Sequence, residues 1–221
     1  MRKNWWKYLA LVLIIYSIVG GLLIRVPVLA ILHESIRNLY FHVPMWFAMI
    51  AMYTVSVVYS IKYLSNSNYK NDLIAVESVN TGILFCALGL VTGMLWAKNT
   101  WGAFWPNDPK LNGSAIATLM YLAYVVLRNS LDDPQKRAKI SAVYNLFAFP
   151  IMIVLLFVLP RQTDSLHPGN GGNPGFGGYD LDGMMRLVLY PTFIGWILVS
   201  TWIMTLRYRI RLIEHQKNEL N

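Results

Sequence analysis

Apolar runs long enough to cross a membrane, separated by short polar stretches, recur along the whole chain. A span of roughly 20 residues crosses the hydrocarbon core as a helix, because every backbone polar group has to be satisfied inside the segment. Six segments meet that test: Tyr8–Val28, Val43–Leu64, Val79–Ala97, Ser114–Leu127, Ile140–Leu159 and Leu187–Leu206, the fourth being the shortest. The pattern predicts an all-α, polytopic membrane protein with six transmembrane helices, forming a single integral membrane domain over residues 1–221.

Basic residues near the span ends set the orientation, since Lys and Arg are retained on the cytoplasmic side. Of the 19, thirteen flank the termini and the connections Ser65–Ser78 and Asn129–Lys139; six (Arg25, Arg37, Lys98, Lys110, Arg161 and Arg186) lie in or beside the other three connections. Both termini are therefore expected in the cytoplasm. Residues Leu29–His42, a tryptophan-rich loop 96–112 and a Gly-rich loop 160–186 then face outward, and these three connections can share one site. MRKNWWK followed by the apolar run Tyr8–Ile24 resembles a secretory signal, with Val28-Leu29-Ala30 as a passable cleavage site. The length of the run favours an uncleaved anchor.

Composition agrees with lipid as the main solvent: 56% of residues are hydrophobic and 14% charged, more apolar than a soluble domain needs. The net charge of +8 is no nucleic-acid signature, because the cations lie scattered between apolar runs and form no basic stripe. Cys86 is the single cysteine, so intrachain disulfides, CxxC pairs and cysteine-rich metal sites are excluded. Asn80, Thr81, Ser200 and Thr201 within the spans are expected to face other helices, and Gly20, Gly21, Gly89 and Gly93 to permit close helix approach.

Candidate chemistry gathers on the outer side. The segment WAKNTWGAFWPNDPKLN, Trp96–Asn112, holds three of the eight tryptophans. Indole rings favour the membrane interface without any further role. Gly102, Pro106 and Pro109, however, predict a non-helical segment that sets Trp96, Trp101 and Trp105 on an aromatic shelf. Asp108 can close a turn before Pro109, Lys110 can snorkel, and Asn112 or Ser114 is expected to cap the fourth span. Three of the four histidines, His33, His42 and His167, fall outside, and an axial haem pair needs two imidazoles from opposite directions. His33 precedes Glu34 and Arg37, an i, i+3 pair in a helix, and ranks third. Signatures of soluble enzymes are missing: the sequence holds no GxSxG, GxxxxGK[ST] or HExxH.

The loop resembles the haem-handling proteins of cytochrome c biogenesis, the CcmC and CcsA type. Their pattern is approximately W-G-x-x-W-x-W-D-x-R-L-T, and Trp101, Gly102, Trp105, Asp108 and Leu111 stand where it requires. Asn107, Lys110 and Asn112 replace a common tryptophan, arginine and threonine. YFHVP is similar to the family's first outer histidine segment, and the histidine after the fifth span corresponds to its second. Six spans with three outer connections resemble the CcmC branch most.

The resemblance implies that haem b is bound at the outer face of the cytoplasmic (inner) membrane. His42 and His167 would be the axial ligands, and the tryptophan loop would support the macrocycle. It also implies delivery to a periplasmic membrane-anchored haem chaperone, alongside ABC transporter subunits and a small membrane subunit. This is a transfer task rather than enzymatic turnover, beyond a lyase-like part in loading the chaperone. Arg37, Lys98, Lys110, Arg161 and Arg186 are the available partners for the two propionates, Lys110 by motif position and Arg37 by nearness to His42. A membrane electron-transfer cytochrome or quinone-reactive subunit with permanently bound haem is the alternative. A small-molecule transporter or purely structural subunit, with the tryptophans as a belt only, is a further one.

Overall fold

The computed structural model describes residues 4–167 and 181–219, and every long element in them is helical. Helix α1 spans Trp5–Leu23; after an irregular stretch, a 3-10 turn at His33–Asn38 leads into α2, Leu39–Asn66. Helices α3 (Tyr69–Trp101), α4 (Pro109–Asn129) and α5 (Pro134–Ile153) follow. A π-turn at Val154–Val158 joins α5 to the short α6, Leu159–Gln162, and α7 covers Gly183–Glu219. Counting α5, the π-turn and α6 as one, six helices among the described residues are long and apolar enough to cross a membrane. The protein is an all-α, multi-pass membrane protein.

Local chemistry sets where each helix stops. Ser67 takes the left-handed conformation at the end of α2, and the Asn68 side chain accepts the Lys70 N–H to start α3. This two-residue connection makes α2 and α3 antiparallel neighbours with the most extensive helix interface in the molecule. Asp108 and Asp133 cap α4 and α5, each followed by a proline whose missing N–H costs nothing at the first helical position.

Several boundaries differ from the sequence expectation. The first helix ends at Leu23 rather than Val28. Its last turn is held by Arg37, which donates to the carbonyls of Gly21 (3.1 Å) and Ile24 (2.6 Å). His42 lies one turn inside α2 instead of in a connection, because the helix starts at Leu39. The fourth span begins at Pro109, with Asp108 and neither Asn112 nor Ser114 as its cap. The seventh helix runs past Leu206, where Arg207 and Arg211 reach the buried Glu77 of α3 at 2.7 and 3.6 Å.

α2 sits at the centre, packed on α3, α5 and α7, while α1 leans mainly on α7. Tyr53, Phe85, Tyr121, Tyr124 and Met152 form the main core, with Tyr53 and Tyr121 stacked at 3.6 Å between ring centres. A second cluster, with Ile36, Tyr40, Leu181, Met185 and Leu189, closes the end of the bundle that carries His42. Leu11, Val12, Val91, Leu119, Val126 and Phe147 point outward, an apolar girdle that suits lipid.

Of the span polar residues expected to face other helices, Thr81 and Ser200 are buried while Asn80 and Thr201 are half-buried. Buried Asn145 donates to Ser56 (2.7 Å) and Ser60 (3.1 Å), joining α5 to α2. Thr192 donates to Ser17 at 2.7 Å across the α1–α7 contact. At the end opposite His42, Arg128 forks onto buried Asp72 at 2.6 and 2.8 Å, tying the end of α4 to the start of α3.

Candidate functional site

Helix α2 brings His42 to a cleft because α3 opposite carries no side chain at two successive turns. A Cβ on Gly93 would lie 2.6 Å from His42 Cε1, and one on Gly89 would lie 2.9 Å from Trp46 Cε2. In the space so made, His42 Nδ1 lies 3.0 Å from the Gly89 carbonyl oxygen and 3.2 Å from Thr92 Oγ1. A carbonyl only accepts, so Nδ1 carries the proton and Nε2 keeps its lone pair. Trp46, one turn on, donates to that Nε2 through its indole N–H at 3.3 Å. Trp96 meets the imidazole edge-on at 5.9 Å and donates to Ser35.

His167 arrives from beyond α6 and is held by Asp108. Its Nδ1 lies 2.9 Å from Asp108 Oδ1, and its ring stands edge-on to Trp101 at 4.8 Å. Asp108 is almost fully buried and saturated: Oδ1 also accepts the Lys110 and Leu111 amides, and Oδ2 accepts Ser165 Oγ (2.8 Å) and the Leu166 amide (2.7 Å). One carboxylate thus caps α4 and pins residues 165–167 to its N-terminus. Burial alone would push the Asp108 carboxyl up, but hydrogen bonds from His167, Ser165 and Leu166 hold it well below the usual carboxylate range. Burial pushes the His167 imidazole below its ordinary value; Asp108 pulls it back up, and the Lys110 charge adds to the lowering. The Asp108 carboxylate accepts and His167 donates from Nδ1, again leaving Nε2 for a ligand.

Both histidines line one cleft of about 1190 Å³, its open side included, together with Trp46, Gly89, Gly93, Trp96, Trp105 and Lys110. The π-turn supplies Leu156 and Phe157 to the same wall. The residues expected from the sequence thus separate. His42, His167, Trp96, Trp105 and Lys110 line the cleft, and Trp101 and Asp108 stand behind His167. Gly102, at φ +80°, ends α3 in the left-handed conformation. The loop 96–112 is irregular only over residues 102–108, since Trp96–Trp101 continue α3 and Pro109–Asn112 begin α4.

The expected cations behave differently from one another. Arg37 is not part of the cleft lining; besides capping α1 it pairs with Glu34 at 2.6 Å, the i, i+3 pair read from the sequence. Lys98 donates to the Gly102 carbonyl at 2.8 Å and so closes the end of α3. His33 is exposed and outside the cleft. Lys110 alone among the five lines it, and its ammonium has no hydrogen-bond or ion-pair partner among the described residues. The Gly-rich stretch 168–180 of the outer loop lies outside the described residues.

Sequence reading missed Trp46, Thr92 and Ser165. The first had a signal, since Trp46 follows His42 by one helical turn; the hydroxyls of Thr92 and Ser165 had none. It also missed that two departures from the motif answer each other: Asn112 donates to Asn107 at 3.0 Å and accepts the Trp105 indole N–H at 3.2 Å.

Known proteins share this chain's sequence over most of its length. The family model described as CcmC, Heme exporter protein C, matches residues 2–221. Heme exporter protein C of Paracoccus denitrificans is 24% identical over 80% of this chain and 73% of its own length. That of Haemophilus influenzae is 25% identical over 94% of this chain and 83% of its own. A Synechococcus protein, Cytochrome c biogenesis protein CcsA, is 29% identical over 40% of this chain and 29% of its own length.

Proposed function

This chain belongs to the heme exporter protein C family, and from that premise and the two-histidine cleft we propose that it binds haem and hands it on for cytochrome c maturation. One observation carries the reading. His42 and His167, 125 positions apart in the chain, line the same cleft, each with Nδ1 anchored and Nε2 left as the ligand nitrogen. Two imidazoles suit the axial positions of an iron whose other ligands come with a macrocycle. Among the described residues no three His, Cys, Asp or Glu side chains gather to hold a bare metal ion.

The other cleft residues fit the cargo. Trp46, Trp96 and Trp105 offer apolar faces for a macrocycle, and Leu156 and Phe157 add apolar lining that excludes water. The Lys110 ammonium meets a propionate carboxylate as a point charge. Arg37, already engaged with two carbonyls and Glu34, is the weaker candidate for that role.

The distribution of cations, thirteen against six, supports both termini in the cytoplasm and the cleft at the outer face of the cytoplasmic membrane. Haem b, not covalently attached, is the form a carrier can release. Exposed Phe104 and Trp105 at the rim give a periplasmic, membrane-anchored chaperone a surface from which to collect it. ABC transporter subunits and a small membrane subunit complete the proposed assembly. The chain's own task is binding and transfer, with no covalent step assigned to a side chain of the cleft.

His42 lying inside a helix favours a second reading, a membrane electron-transfer cytochrome with permanent haem. Retention separates the two: a carrier gives up its haem to an acceptor protein within minutes to hours, whereas a resident cytochrome keeps it. The primary test is the visible spectrum of the purified protein, with a Soret band expected for the wild type and lost or shifted in His42→Ala and His167→Ala. An unchanged band in both variants would sink the ligand assignment.

A further inference from the structure

We propose that the two histidines hold iron unequally, His167 through a lasting bond supported by the Asp108 carboxylate and His42 through the bond that opens first. The proposal rests on the haem-binding reading of the cleft and adds the order of release.

The asymmetry lies in what stands behind each ring and in what competes for its free nitrogen. Behind His167 is a buried anion at 2.9 Å, and an anionic partner on Nδ1–H makes Nε2 more basic and fixes the ring. That anion is itself immobilised by two α4 amides, Ser165 and Leu166, so the imidazole and its support move as one body. Behind His42 is the neutral carbonyl of Gly89, which also accepts from Thr92 Oγ1 at 3.1 Å. The polarisation of His42 is correspondingly weaker.

Competition points the same way. Trp46 holds its indole N–H 3.3 Å from His42 Nε2, the atom that would bind iron. When the iron–Nε2 bond of His42 breaks, the lone pair accepts the Trp46 proton donor and is not left bare in an apolar wall. No electron or proton changes hands; one coordination bond is exchanged for one hydrogen bond. No comparable donor to His167 Nε2 occurs among the described residues. The iron face vacated by His42 is then open to a ligand from an acceptor, while His167 still holds the other.

The test uses the full chain, purified and loaded with haem, as wild type, Asp108→Asn and Trp46→Phe. Asparagine keeps the capping acceptor and the shape but removes the charge. In Asp108→Asn the midpoint potential should rise by about tenfold in ferrous-over-ferric preference, ~59 mV for one electron, because the anion favours ferric iron. Haem should pass to excess apomyoglobin about tenfold faster. Trp46→Phe keeps an aromatic face but no donor, and should slow that passage several-fold. In the ligand-free protein, 15N shifts should show His167 protonated at Nδ1 and bare at Nε2. A wild-type midpoint in haem-loaded Asp108→Asn, an Nε2-protonated His167, or unslowed haem loss from Trp46→Phe would overturn the proposal. A wild type that takes up no haem would instead overturn the functional reading beneath it.

Discussion

Asn107 and Asn112 show how a single position acquires meaning from its neighbour. Asparagine at 107 cannot stack as an indole would, yet its side-chain oxygen takes a proton from Asn112, whose own oxygen takes the Trp105 indole N–H. The pair fixes the tilt of Trp105 at the rim of the cleft. Asn112→Ala breaks both bonds at once, each exposed to solvent and so each worth about 1 kcal/mol or less. We expect haem affinity to fall by up to roughly tenfold with little change in thermal stability, measured by titration against the Soret band. Unaltered affinity would mean that Trp105 holds its place by packing alone.

His42 and His167, which line one cleft, stood out at this scale by type and position, and five fixed motif positions carried the family. Their environments were not. That Asp108 reaches 59 residues along the chain to His167 follows from the convergence of α4 and α6, which no local pattern encodes. Arg37 shows what sequence proximity leaves out: it lies near His42 in the chain, but it is absent from the cleft lining and its guanidinium holds the carbonyls of Gly21 and Ile24 where the first helix ends.

Between elements, glycine decides which side chains can be accommodated. Gly93→Ala would place a methyl 2.6 Å from the His42 ring, and the ring, held on both sides, has to move. Overpacking of this kind costs about 1–3 kcal/mol. Gly82→Ala sets a similar clash against Tyr53, away from the cleft. Both variants should melt earlier, but only Gly93→Ala should shift the haem spectrum; an equal effect from the two would remove any special role for the α2–α3 contact. Close approach at Gly93 was read from the sequence, whereas that at Gly82 and the partner rings at both were not.

At the other end of the same bundle, Arg128→Ala would leave Asp72 buried without its fork. Breaking a buried pair from one side costs about 3–5 kcal/mol, far more than the pair contributes relative to an apolar replacement. Thermal unfolding in detergent should show that loss, and Asp72→Asn combined with Arg128→Ala should restore part of it. Equal melting of single and double variants would show that water reaches the site.

For the whole molecule, six spans and their approximate limits followed from hydropathy because lipid leaves the backbone no alternative to the helix. The helix ends followed less well, since they depend on caps and on side chains that arrive from elsewhere. Cys86 is buried and leaves the chain without an accessible native thiol among the described residues. This makes the orientation testable: Phe104→Cys, at the α3–α4 turn, should react with a membrane-impermeant maleimide in intact cells. Ser130→Cys, at the α4–α5 turn, should react only after the membrane is opened. The reverse pattern would invert the topology drawn from charge.

The π-turn at Val154–Val158 amounts to one residue more than an α-helix needs. Each residue of an α-helix advances the azimuth by about 100°. The fifth span is therefore out of phase with itself across the turn, and the segment beyond Val158 is aimed by chain length as much as by residue identity. Deleting one of these five residues would close the turn into continuous helix and leave Leu159–Gln162 near its present azimuth, because the wider turn already takes up the extra residue. Forcing all five into α-helix without a deletion would instead rotate Leu159–Gln162, with His167 beyond it, by about 100°. A deletion scan would find the π-turn tolerant, while substitutions that convert it to α-helix would turn His167 away from the cleft.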